Sequence, residues 1–147
     1  MAHALGIFPI EKLTLTSFSE TVTIMDLYQR LERLERECKE MEGMSDLIDL
    51  REATHLNQLS FVVMAGIAAR QRQHPERNRR GKLAIVCAEN ELSYGLGRMY
   101  GSLTQDLYSE YAIFHSGSEA LHWLGHQPEQ FLSPARSGRQ QLLFMPI

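Results

Sequence analysis

Three glycines in the stretch KLAIVCAENELSYGLGRMYGSL, residues 82–103, raise the first chemical question. A dinucleotide site needs G-x-G-x-x-G in the turn between a strand and a helix, where bare backbone lets amides approach a pyrophosphate. Gly95, Gly97 and Gly101 are instead spaced G-x-G-x-x-x-G and begin seven residues beyond Ala88. A helix starting near Asn90 would hold all three in its interior. Glu89 and Glu91 would also set negative charge where a phosphate should sit. The pattern predicts close contact of a helix with a sheet, and no cofactor is expected. Neither a Walker Gly-Lys-Ser/Thr nor a G-x-S-x-G hydrolase elbow occurs in the chain.

Other reactive residue types form weaker patterns. His122 and His126 are four apart, a spacing that can offer two imidazoles to zinc. Gly125 should end that helix before His126 and no third ligand stands nearby, so no metal is expected. Residues 70–82 hold Arg70, Arg72, Arg77, Arg79, Arg80 and Lys82 against Glu76 alone. That is a local charge of +5, leaving −8 for the rest of a chain whose net charge is −3. Without interleaved aromatics to stack bases, the segment reads as a solvated loop rather than a nucleic-acid surface. No carboxylate pair suggests acid–base work, and no catalytic residue is expected. Asp49 and Arg51 close a strand at the end where α/β sheets usually place ligands. A local ion pair accounts for them equally well.

These residues need elements to hold them. The segment ALGIFPIEKLTLTSF predicts an antiparallel hairpin, its first arm stopped by Pro9. Thr23 and Asp26 stand at capping-box spacing and predict a helix start. Leu27, Leu31, Leu34, Cys38 and Met41 then recur in steps of four and three, and Gly43 supplies a stop. Glu32–Arg36 and Glu35–Lys39 have the spacing of helical ion pairs. SDLIDLRE, residues 45–52, predicts a buried strand. The helix expected over 57–73 is apolar nearly all round and should be covered on more than one side. A strand at 82–88, a helix at 90–107, a strand at 111–115 and the helix SEALHWLG complete the pattern.

Strand and helix alternate three times after the hairpin, which calls for parallel strands joined by right-handed crossovers. The fold class expected is α/β: a single domain with a mixed, mostly parallel sheet, an N-terminal antiparallel hairpin and flanking helices. At 147 residues and 44% hydrophobic, one domain with one core is the natural size. Residues 1–126 should form it, with 127–147 as a C-terminal extension. The extension ends in the apolar run LLFMPI, which should cover its own domain or another subunit. Cys38 and Cys87 make no CxxC pair and read as reduced core thiols. No bilayer-length apolar window and no signal-peptide pattern is present, so a cytoplasmic protein is expected.

The middle and last of these segments also carry a likeness. GLGRMY and FHSGSEALHWL, with LIDLREA upstream, resemble in order the SpoIIAA-like family of bacterial proteins in the STAS superfamily. Gly95, Arg98, Met99 and Tyr100 match the middle motif, and Phe114, Glu119, Ala120, Trp123 and Leu124 match the last. Asp49, Leu50 and Arg51 match the family's Asp-Leu-Arg strand end. The likeness spans about residues 5–125. It implies a mixed-sheet fold used for protein–protein regulation or, through kinship with CRAL-TRIO lipid carriers, for binding an apolar ligand. Related anti-sigma-factor antagonists carry a phosphorylatable serine after the Asp-Leu strand. Aligning Asp49 and Leu50 puts Gln58 and Leu59 there, with Ser60 displaced by one or two residues.

The functional expectation is a non-enzymatic regulatory domain that binds a protein partner, with a carrier or sensor of a lipid or small apolar ligand as the alternative. A homodimer is compatible with either. The binding surface should join the 49–60 turn to the start of the 90–107 helix. Asp49, Arg51 and Arg98 would supply polar recognition there, and Gln58, Ser60 and Tyr94 would line the approach.

Overall fold

Pro9 ends the first strand, and the chain reverses through Lys12, whose φ of 53° closes the turn. Strands β1 (His3–Phe8) and β2 (Leu13–Thr21) thereby pair antiparallel, with Phe8 opposite Leu13. The computed structural model describes residues 3–134 and 140–142. Helix α1 (Ile24–Glu37) begins at the expected box: Thr23 accepts from the Asp26 amide, and the Asp26 carboxylate accepts from the Thr23 amide at 2.9 Å. Then follow β3 (Ser45–His55), α2 (Phe61–Gln71), β4 (Lys82–Val86), α3 (Glu91–Thr104), β5 (Glu110–Phe114) and α4 (Gly117–Trp123). A short antiparallel pair, β6 (Leu132–Pro134) and β7 (Gln140–Leu142), closes the described chain.

The five-stranded sheet has the order β1-β2-β3-β4-β5, with β2 to β5 parallel. Each crossover joins adjacent strands, so right-handed connections lay α1, α2 and α3 side by side on one face. Their core includes Leu31, Ile48, Leu50, Met64, Ile67, Leu83, Ile85 and Cys87. The alternate strand residues Leu13, Leu15, Leu47, Ala84 and Val86 turn to the other face, against Ala120 and Leu121 of α4. Phe131 and Leu132, from the segment expected as an extension, are buried in that second core. Of the apolar ending LLFMPI, residues 143–147 lie outside the described residues.

Two elements depart from expectation. Helix α1 stops at Glu37, before Gly43, which takes a φ of 68° in the turn to β3. Glu35 does not pair with Lys39; it accepts two hydrogen bonds from Arg70 of α2, at 2.7 and 2.9 Å, and ties the two helices together. Nor is α2 covered all round. Met64, Ile67 and Ala68 are buried, but Phe61 and Val62 in its first turn are 61% and 79% exposed.

The glycines of α3 divide by face. A Cβ on Gly97 would stand 2.8 Å from the Cys87 sulfur, and one on Gly101 would stand 2.3 Å from the Tyr111 ring. These two let α3 lie close on β4 and β5. Gly95, expected to do the same, has open space around it. Gly97→Ala should therefore lose stability, because overpacking of about 1–3 kcal/mol outweighs a helix-propensity gain of about 1 kcal/mol. Gly95→Ala should gain about 0.5–1 kcal/mol. Thermal denaturation of the two variants reads the opposite signs directly.

Burial pushes both thiols, Cys38 and Cys87, up to about 11 from an ordinary value of 9.0. The folded state then holds a proton that the unfolded chain gives up first. Their contribution to stability is intact below pH 9 and is lost as pH climbs through about 11. Iodoacetamide at pH 8 should leave both unmodified in the native protein and label both in denaturant, as read by intact mass.

Candidate functional site

On α1 the apolar stripe runs Leu27, Leu31, Leu34, and Arg30 falls on the same side, between its first two members. Its guanidinium is thereby carried into the helix–sheet layer, and the residue is only 4% exposed. Nε donates to Thr16 Oγ1 of β2 at 2.7 Å. Nη2 is buried and meets no acceptor among the described residues. The acidic residue one turn earlier in the helix, Asp26, is committed elsewhere. Its carboxylate accepts from Thr23 Oγ1 as well as the Thr23 amide, both at 2.9 Å, and stands 3.2 Å from His3 Nδ1. Burial acts to raise the Asp26 pKa, but the hydrogen bonds from Thr23 and His3 outweigh it and hold the group below the usual carboxylate value.

Arg30 lines a cavity of about 40 Å³ between the three helices and the sheet. Ile48, Leu50 and Ile85 form its floor, and Leu27, Met64 and Leu96 reach into it from the helices. Arg30 is the charged member of an otherwise apolar wall. Tyr100, also on the wall, turns its hydroxyl away to donate to Gln71 Oε1 at 3.0 Å.

One turn before these residues, the same helices expose apolar side chains at the carboxyl edge of the sheet. Met25 in α1 is 64% exposed and Leu92 in α3 59%, with Phe61 and Val62 of α2 between them. Tyr94 adds a half-exposed ring that stacks on His115 at 6.5 Å, and the Arg98 guanidinium lies 5.9 Å from the Tyr94 ring centre. His115 Nδ1 is 2.9 Å from the Cys87 carbonyl oxygen, which anchors this group to the end of β4.

The residues picked from the sequence divide between the two faces. Tyr94 and Arg98 sit together on the α3 edge just described. Ser60 is the exposed N-cap of α2, its hydroxyl accepting from the Val63 amide at 3.3 Å. Gln58 Oε1 accepts from the Ile24 amide at 3.1 Å and so caps the start of α1. Asp49 and Arg51 project to the opposite face. There Asp49 accepts from the Arg51 amide and Nε, both at 3.0 Å, and from Nη2 at 2.8 Å. The Arg51 guanidinium packs against Gly117 at the start of α4. The hydrogen bonds from Arg51 to Asp49 raise the Arg51 pKa above its usual value. The pair is closed on itself and separated from Tyr94 and Arg98 by the sheet.

The basic 70–82 segment is largely neutralised inside the fold. Arg70 pairs with Glu35, Arg72 with Asp106, and Lys82 with Glu110, while Arg77 is buried. Arg79 and Arg80 are exposed, as is the paired Arg72. Helix α4 ends at Trp123 and Gly125 takes a φ of 88°, so His122 and His126 do not share a helix face. Arg30 was visible as a charge set into an apolar stripe. Phe61 and Val62 were visible as apolar residues directly after a capping serine, in a turn that overhangs the sheet edge.

No family model matches this chain, and no curated protein does. Among solved structures it is similar to an uncharacterized protein of the DUF3478 family from Shewanella loihica PV-4, which has a SpoIIAA-like fold. The two chains share 21% identity over 84% of this chain and 94% of that one, with a TM-score of 0.58. The architecture is thus the SpoIIAA-like fold. No helix among the described residues is long and apolar enough to cross a membrane.

The closed pair on the α4 face predicts a stability effect. Asp49→Ala should cost about 1–3 kcal/mol, because it leaves the partly buried Arg51 without its counter-charge. The double variant Asp49→Ala/Arg51→Met should cost less than Asp49→Ala alone, and urea denaturation of both measures the difference.

Proposed function

We propose that this domain is a non-catalytic regulatory module that docks a protein partner on the exposed first turns of α1, α2 and α3. The observation that supports it is the row formed by Met25, Phe61, Val62 and Leu92, each more than half exposed on neighbouring helix ends. Exposed apolar side chains gathered on neighbouring helix ends support an interaction site. The polar members of the surface are Ser60 and Arg98, with Tyr94 bridging apolar and polar character.

Charge selects the kind of partner. Glu20, Glu89 and Glu91 are exposed along the same carboxyl edge, so the apolar row has an acidic rim. A second copy docking through this surface would set acidic rim against acidic rim, since a two-fold interface pairs a patch with itself. The complementary partner is a different protein, with an apolar contact face bordered by Lys and Arg. Its association should weaken as salt screens the rim.

Substituting Phe61→Glu and Leu92→Glu together changes only exposed side chains, so circular dichroism and Tm should hold while partner capture falls by about a hundredfold or more. Arg98→Ala should weaken capture more modestly, and Arg51→Ala, on the other face, should leave it intact. Copurification from host lysate followed by affinity measurement on the recovered partner reads all three. Undiminished affinity in the double variant removes this surface from the function.

A further inference from the structure

The two edges of the five-stranded sheet are treated differently. At β1 the domain closes its own edge: Leu5, Gly6 and Ile7 are buried, and Arg33 Nη1 of α1 donates to the Leu5 carbonyl at 3.3 Å. At β5 no strand pairs with the outer side among the described residues. Tyr111, Ala112, Ile113 and Phe114 are only half-buried there. Nothing in the strand blunts this edge, because its register with β4 runs without a bulge and it holds neither proline nor lysine. Consecutive apolar residues on an open edge form a template for another strand.

One bond fixes the direction of its backbone groups. The Cys87 amide donates to the Phe114 carbonyl at 2.8 Å, so Phe114 faces β4. Peptide groups alternate sides along a strand, so Ala112 faces β4 as well, and Tyr111 and Ile113 turn their N–H and C=O groups outward. These two lie symmetrically about Ala112. From this geometry we infer that β5 pairs antiparallel with β5 of a second copy of this chain, about a two-fold axis through Ala112, joining two sheets into one. Tyr111 exchanges hydrogen bonds with Ile113 of the partner subunit, and Ile113 with the partner's Tyr111, which satisfies every outward group of both residues. The two Ala112 residues form the non-hydrogen-bonded pair at the axis, where strands approach most closely and a small side chain fits. Tyr111 and Ile113 both lie under α3, so each cross-strand pair sets a ring against a β-branched chain. Charge favours the same register. Glu110, the charged residue of β5, falls opposite Phe114 of the partner subunit and at least about 13 Å from its own copy. Moving the axis to Tyr111 would bring the two glutamates onto diagonal positions and set Ile113 against Ser109. The proposed docking row of Met25, Phe61, Val62 and Leu92 takes no part in this contact.

The test joins sedimentation, hydrogen exchange and cross-linking of the full chain. Sedimentation equilibrium should show a reversible rise toward twice the monomer mass with concentration, and Ala112→Lys should weaken the association at least about tenfold. Amide exchange at Tyr111 and Ile113 should slow as the protein concentration rises. Ala112→Cys places two thiols on the axis with Cα atoms about 4.5 Å apart, inside the range a disulfide spans. Mild oxidation should therefore link that variant at least about tenfold faster than Ser109→Cys, whose thiols would stand about 20 Å apart in this register. Cys38 and Cys87 are buried and do not compete. Should a variant not fold, sedimentation and exchange of the unaltered protein decide alone. A monomer at every concentration overturns the proposal. So does protection of Tyr111 and Ile113 that is independent of concentration, which would mean that another part of the same chain covers the edge. Linkage of Ala112→Cys no faster than that of Ser109→Cys overturns it as well.

Discussion

The fold hangs on a buried carboxylate. Asp46, wholly inaccessible at the start of β3, accepts from Thr14 Oγ1 of β2 at 2.5 Å, from Asn78 Nδ2 at 3.2 Å, and from the Tyr108 hydroxyl. These donors come from the neighbouring strand, the crossover before β4 and the loop before β5. One residue thus fixes where three separate connections return to the amino edge of the sheet. Asn78 Nδ2 also donates to the Met44 carbonyl at 2.9 Å, and Asn78 Oδ1 accepts from Arg77 Nε at 3.2 Å, so the loop is held from both sides. Burial and the nearby Asp46 charge drive the Tyr108 pKa well above its ordinary 10, which keeps the hydroxyl a donor. A satisfied network of this kind is rigid, because each member would be left buried and unpaired if any other moved.

Closure at one edge leaves the other free to differ. With β2 to β5 parallel and every crossover on one face, all three helices start at the carboxyl edge and finish toward the amino edge. Ends near the hub are pinned by Glu35–Arg70 and Arg72–Asp106. Starts are held by local caps: Thr23, Ser60 and Asn90, each bonded within its own first turn. Caps satisfy backbone amides but bury little apolar surface. The first turns can therefore project beyond the strands and present Met25, Phe61, Val62 and Leu92 to solvent without loosening the core.

Much of this was readable in the residues, because the signals were local. The Thr23–Asp26 box, the alternation of β2 and the misplacement of Gly95, Gly97 and Gly101 for a phosphate turn each depend on a few neighbours in sequence. What could not be read was direction across the sheet. Asp49 and Arg51 sit at the same edge as Tyr94 and Arg98, and only the parity of β3 sends them to the α4 face. Glu35 had a suitable partner four residues on, yet it bonds a residue 35 positions away. The apolar run of α2 predicted cover on more than one side, because composition does not tell how far a helix overhangs its sheet. Arg30 was legible as an anomaly in the stripe, but its missing acceptor is a property of the assembled layer.

Two buried charges therefore receive opposite treatment in one domain. Around Asp46 the chain brings hydroxyl, amide and phenol donors from distant segments, and both carboxylate oxygens are bonded. Around Arg30, on the same face of the sheet, it supplies one hydroxyl and otherwise leucine, methionine, phenylalanine and tyrosine rings and chains. A sequence able to build the first network could have furnished Arg30 with a carboxylate by a single exchange at a lining position such as Met64 or Leu27. Arg30→Met would likewise have removed the charge altogether at little cost in packing. Keeping the cation while withholding its partner costs the domain stability. The asymmetry between the two sites distinguishes a charge that ties the fold together from one that the fold carries at a cost.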